Sequence, residues 1–106
     1  MPRITVLLTS YNHEKFVGRA IRSVLDQTFR DFELLIVDDC SKDASWEVIG
    51  SFSDPRIIAM RNERNRGPER AFEIMLERAR GEYVAVFHSD DLWKPDKLEK
   101  QVAYLD

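Results

Sequence analysis

Four short apolar runs alternate along the chain with four segments whose apolar residues recur at helical spacing, and that alternation leaves few folds open. The runs are Ile4-Thr5-Val6-Leu7-Leu8, Phe32 to Val37, Arg56 to Met60 and Tyr83 to Phe87. Runs of this length, partly β-branched, predict buried strands. Between the first two, Phe16, Val17, Ala20, Ile21, Val24 and Leu25 form one face of a helix. A short helix is expected over Ser45 to Phe52. Pro68 suits the first turn of a third helix, whose apolar face is Ala71, Phe72, Met75, Leu76 and Ala79. Gly81 is expected to end it as a left-handed cap. A last helix is expected over Lys97 to Leu105. Strands and helices in strict alternation imply right-handed crossovers. The fold class expected is therefore α/β, a mostly parallel sheet flanked by helices on both faces.

The 106 residues make one domain, with 43% hydrophobic and 33% charged residues, an ordinary globular balance. The longest apolar runs fall well short of the about 20 residues that a bilayer span needs. The Met1-Pro2-Arg3 start leads straight into a strand-like run, so no signal peptide is expected. A net charge of −3 argues against a nucleic-acid partner, whose phosphates demand a basic face. It leaves room for a small anion held by a metal, a few arginines and backbone N–H groups. The single cysteine, Cys40, cannot form an internal disulfide, and a cytoplasmic location is expected. The chain stops soon after its fourth strand, which reads as part of a domain.

Ligands of open α/β sheets bind outside the carboxyl ends of the strands. Three of the four strands end in polar sequence: Thr9-Ser10-Tyr11-Asn12, Asp38-Asp39-Cys40-Ser41 and His88-Ser89-Asp90-Asp91. These segments converge if the first strand lies between the second and the fourth. Adjacent carboxylates are costly to hold together without a cation or hydrogen-bond donors. A divalent metal or a sugar hydroxyl is one reading of the two acidic pairs. Helix N-capping and loop solvation is the other. Oxygen ligands without cysteine point to Mg²⁺ or Mn²⁺.

Two other acidic sites fail on the sequence. Asp39, Ser41 and Asp43 match the first ligand positions of an EF-hand, but Ala44 and Gly50 stand where its glycine and glutamate belong. A phosphoacceptor receiver domain needs an acidic pair after the first strand, where this chain has Ser10 and Tyr11. Tyr11 is either a rim residue or a stacking partner for a flat base. Arg61, Arg64, Arg66 and Arg70 are either a solvated face or the neutralising charges of a diphosphate. Gly67, at a loop–helix junction, would let backbone N–H groups approach phosphate. Trp46 and Trp93 are expected to pack.

These residues, in this order, resemble family 2 glycosyltransferases of the GT-A fold. The resemblance is carried by Thr9, Tyr11 and Asn12, by Ser23 to Phe29, by Phe32-Glu33 and by Val37 to Asp43. It continues through Asn65-Arg66-Gly67, Arg80 to Tyr83, Ser89 to Trp93 and Pro95 to Leu98. It covers essentially the whole chain, and implies that residues 1–106 are the Rossmann-like, nucleotide-sugar-binding part of such a domain. By position, Thr9 and Tyr11 would line the base pocket, Asp39 would contact the base and Asp38 would shape the same loop. Asn65 and Gly67 would approach the nucleotide, with Arg70, His88 and Ser89 beside them. Asp90 and Asp91 would hold the divalent ion on the donor diphosphate. Three features depart from the family pattern. His88 stands at the first aspartate of its Asp-x-Asp motif, and Phe72-Glu73 stands where many relatives carry Arg-Asn. The catalytic base and most of the acceptor site belong to the second half of such domains.

The resemblance implies inverting, metal-dependent glycosyl transfer from a nucleotide-diphospho-sugar, a UDP-sugar first, to a hydroxyl of a glycan, lipid or protein. It also leaves a place at the inner face of the membrane open. A nucleotide-binding module without turnover and a self-associating structural domain are the alternatives. Self-association would follow from an uncovered sheet edge.

Overall fold

The computed structural model describes residues 2–87 and 92–105. Its elements alternate as β1 (Ile4–Ser10), α1 (Val17–Leu25), β2 (Phe32–Asp38), α2 (Ser45–Gly50), β3 (Ile57–Arg61), α3 (Pro68–Arg78), β4 (Tyr83–Phe87) and α4 (Lys97–Leu105). The four strands form one sheet in the order β3-β2-β1-β4, and every pairing is parallel. The sheet is thus parallel throughout, and β1 does lie between β2 and β4.

The two faces follow from the two-residue period of a strand. Ile4, Val6 and Leu8 of β1 and Leu34 and Ile36 of β2 share a core with Val17, Ile21 and Val24 of α1, Ile49 of α2 and Leu98 and Val102 of α4. Leu7, Leu35 and Val37 face the other way, onto Ala71 and Met75 of α3. The chain steps outward from β1 to β3 over one face, then returns over the other through α3 to reach β4. Right-handed crossovers require that change of face when the direction of travel reverses.

Two polar side chains fasten this frame. Buried Gln27 donates to the Lys94 carbonyl at 2.7 Å and accepts from the Leu98 N–H at 3.0 Å, tying the start of α4 to the end of α1. At the amino end of the sheet, Glu33 accepts from the Thr5 hydroxyl at 2.6 Å, from the Arg80 N–H at 2.8 Å and from the Arg80 guanidinium.

Gly81 does not cap α3. The helix ends at Arg78 in an extended residue, Ala79 (φ −66°, ψ 132°), and Gly67 is the glycine with positive φ. Gly81 is there for lack of space: a Cβ would lie 2.5 Å from the Thr5 nitrogen and 2.7 Å from the Ile4 carbonyl carbon. The Gly81 N–H donates to the Thr5 hydroxyl at 2.8 Å, so β4 starts in contact with β1.

Candidate functional site at the carboxyl edge of the sheet

Strand order reverses between β1 and β4, so the crevice of an open parallel sheet lies where these strands end. Alternation then sorts the polar residues by face. Ser10 and Asp38, paired in register, fall on the α1 side. Thr9 falls on the α3 side, where it lines a groove of about 460 Å³ with Leu7, Pro68, Phe72 and Val86. Asp39 continues β2 onto the same side.

Asp38 is turned into the protein. It is fully buried, one oxygen accepts the Ser41 hydroxyl at 2.6 Å, and the other accepts the Ser41 N–H at 2.9 Å. Arg61 lies 3.8 Å from the same carboxylate, donates to the Ser41 carbonyl and sits over the Trp46 ring. That arginine braces the loop. The loop is also laced to the one after β1. Ser41 accepts the Asn12 N–H, Asn12 accepts the Lys42 N–H, Ser45 accepts the His13 N–H and Asp43 accepts the Glu14 N–H. Burial pushes the Asp43 carboxyl up, but the Ser45 hydroxyl and the N–H groups of Ser45 and Glu14 more than offset this and hold it below its ordinary range. Asn12 and Cys40 take left-handed conformations, φ 55° and 60°. Asn tolerates this region well, whereas at Cys40 the surrounding bonds impose it.

Asp39 is held differently. Only 4% exposed, it accepts the Arg66 N–H at 2.8 Å and the Asn62 side-chain amide at 2.9 Å on Oδ1, and the Gly67 N–H at 2.9 Å on Oδ2. Gly67 adopts φ 86° immediately before Pro68 opens α3, and its N–H also meets the Asn65 Oδ1 at 3.0 Å. The Gly67 N–H therefore serves Asp39 and Asn65. An ionised carboxylate has about four acceptor positions; three are filled, and the open one is on Oδ2.

Tyr11, 40% exposed, follows β1 at the rim. Arg70 pairs with Glu73 on the surface of α3 at 3.0 Å. Arg64 and Arg66 are exposed. Trp93 packs against Phe87 in the core, ring centroids 4.6 Å apart, and Trp46 is half-buried under Arg61. His88, Ser89, Asp90 and Asp91 lie outside the described residues. Among the described residues no group of three or more His, Cys, Asp or Glu side chains could hold a metal ion. Asp38 and Asp39 fit a metal poorly, because protein donors already take most of their oxygens' positions. Sequence reasoning passed over Ser41 and Asn62 as partners of the two aspartates. Ser41 stood in the quoted Asp-Asp-Cys-Ser run. Asn62 gave no local signal, since its contact spans 23 positions.

The model of the family described as Glycosyl transferase family 2 matches residues 5–106. TuaG of Bacillus subtilis, named a teichuronic acid biosynthesis glycosyltransferase, is 42% identical over 106 residues, covering 98% of this chain and 42% of its own length. Among solved structures, S. aureus TarS 1-349 in complex with UDP-GlcNAc superposes with a TM-score of 0.92 at 29% identity, over 100% of this chain and 31% of that one. A mannosyltransferase from Pyrobaculum calidifontis in complex with GDP-Man and Mn²⁺ gives 0.90 at 25% identity, over 98% and 32%. The chain thus spans less than half the length of these relatives.

Proposed function

The chain belongs to glycosyl transferase family 2, and from that premise we propose that it forms the donor-binding part of an enzyme moving a sugar from a nucleotide-diphospho-sugar to an acceptor hydroxyl. The observation that carries this reading is Asp39. Its carboxylate is buried at the carboxyl end of β2, beside β1, is held by three protein donors, and keeps one acceptor position on Oδ2. In this reading Tyr11 stacks on the base and Thr9 lines its pocket. Asp39 accepts a hydrogen bond from a base N–H, and Asp38 shapes the loop through Ser41. Asn65 and Gly67 set the loop that borders the nucleotide, and Arg70, His88 and Ser89 complete its surroundings.

The acceptor oxygen attacks the anomeric carbon, and the bond to the diphosphate oxygen breaks with its electron pair leaving on the nucleoside diphosphate. The configuration inverts, through a transition state like that of glycoside hydrolysis. A divalent ion, Mn²⁺ or Mg²⁺, held by Asp90 and Asp91 would neutralise charge on the departing diphosphate. UDP is our first choice of nucleotide, in line with TarS, whose structure holds UDP-GlcNAc; the GDP-Man complex of the second neighbour makes GDP the competitor to test. The acceptor is a glycan, lipid or protein. We place the chain in the cytoplasm, at the inner membrane face where the acceptor is a lipid. No helix among the described residues is long and apolar enough to cross a membrane. The resemblance assigns the catalytic base to the second half of the domain, so these 106 residues alone are expected to bind donor without turnover.

Calorimetry of the chain with UDP and Mn²⁺ tests this. Binding by wild type that is strongly weakened in Asp90→Ala is expected. No heat with wild type overturns the nucleotide site, and equal heat from Asp90→Ala removes the metal assignment. A homo-oligomer is a second expectation, favoured by Val84 and Val86, 45% and 43% exposed on edge strand β4.

A further inference from the structure

We propose that Asn62 is a positioning residue that sets which base the site accepts, acting through Asp39; this rests on the nucleotide-site reading above. The Asn62 N–H donates to the Asp38 carbonyl at 2.9 Å, extending the β2–β3 ladder by one residue and fixing the Asn62 backbone. From there its side-chain amide reaches Asp39 Oδ1 at 2.9 Å, and the Arg66 N–H reaches the same oxygen at 2.8 Å. Both acceptor positions of Oδ1 are therefore filled. Gly67 fills one position of Oδ2.

The consequence lies in how many further hydrogen bonds Asp39 can accept. A carboxylate with a free position on each oxygen matches two parallel N–H donors, as it does for a guanidinium. The guanine edge presents such a pair, N1–H and N2–H. A carboxylate with one free position matches a single imide N–H, as on uracil. By occupying Oδ1, Asn62 leaves Asp39 the acceptor of one further hydrogen bond, and the site favours uracil over guanine diphosphates. Asn62 needs no contact with the nucleotide to do this.

The test is calorimetry of the chain with UDP, UMP and GDP, for wild type, Asn62→Ala and Asn62→Leu, with melting curves to establish folding. Wild type is expected to prefer UDP over GDP. Asn62→Ala keeps the backbone ladder and frees one position on Oδ1. Its UDP:GDP preference should fall by about tenfold, the scale of one hydrogen bond to a charged group. UMP and UDP should weaken equally, because the change is at the base. Asn62→Leu keeps the side-chain volume and removes the donor, so its preference should fall in the same direction; it carries the test if the alanine variant fails to fold. An unchanged preference in a folded variant, or wild-type binding of GDP as tight as UDP, overturns the inference alone. No UDP binding by wild type overturns the nucleotide-site reading, and this inference with it.

Discussion

Gly67 donates its backbone N–H to Oδ2 of Asp39 at 2.9 Å across 28 positions of sequence, so the end of β2 and the start of α3 form one unit. The carboxylate sits where the amino end of a helix favours negative charge. The glycine's φ of 86° is what a bulkier residue would resist at this junction. Protein donors alone thus orient Asp39, and a nucleotide would meet a preformed acceptor.

Asp39→Asn should disturb both fold and binding. The new amide would face three N–H donors with at most one oxygen in place of two. Each lost hydrogen bond to a charged group is worth about 1.5–3 kcal/mol, and partial re-pairing makes a loss of roughly 2 kcal/mol the expected outcome in urea unfolding. UDP affinity should drop by more than about tenfold, the effect of losing one such bond. A folded variant with wild-type affinity would separate Asp39 from the base.

Gly81→Ala should destabilise by about 1–3 kcal/mol, the usual cost of overpacking. The added methyl would meet backbone atoms of Ile4 and Thr5, which cannot swing aside, and would press on the Thr5 hydroxyl that Glu33 needs. Gly50→Ala is the matched control: nothing lies within 4 Å of its Cβ position at the end of α2. It should be neutral or stabilising by up to about 1 kcal/mol. Equal thermal shifts in the two variants would refute the packing account.

Periodicity made the alternating elements and the parallel sheet legible, because each strand's burial depends on its own residues. The converging strand ends followed once β1 was placed centrally. The divided roles of Asp38 and Asp39 were not legible from composition: two adjacent aspartates point to opposite faces, one to Ser41 and one to the 62–67 loop. Gly81 misled for the same reason. A glycine after a helical run reads as a left-handed cap, but here its missing side chain answers to β1, more than 70 positions away. Arg61 and Arg70 read in the sequence as either a solvated face or the neutralising charges of a diphosphate; in the fold Arg61 meets Asp38, Ser41 and Trp46, and Arg70 pairs with Glu73 on the surface of α3.

Stability should fall in acid through depressed carboxyls, Glu33 and Asp54 among them. Burial pushes Glu33 up, but the Thr5 hydroxyl and the Arg80 N–H and guanidinium outweigh it, leaving the group below its ordinary value of 4.5. The hydrogen bonds of Arg56 hold Asp54 at about 2, against 3.8 ordinarily. A lowered folded value means the stabilisation is complete above the ordinary value and lost as pH falls through the folded one. Unfolding free energy should therefore be level from neutral pH down to about 5 and then decline. Glu33→Gln should be less stable at neutral pH and show a shallower decline. An acid profile identical in slope to wild type would mean that Glu33 is not linked to folding.

Val86→Lys should suppress self-association while leaving the fold in place. Val84 and Val86 pair in register with Thr5 and Leu7, so they share the α3 side of the sheet. Helix α3 packs on β1 and β2, through Leu7, Leu35 and Val37, and leaves these two valines open. Beyond them no further strand pairs with β4 among the described residues. An apolar edge strand with free N–H and C=O groups is a template for another chain, and a lysine on such an edge is the usual safeguard against it. Light scattering of wild type across a concentration series should show mass rising above that of one chain, and Val86→Lys should hold it at the monomer. A wild-type chain that stays monomeric at high concentration would show that this edge does not pair with a second copy.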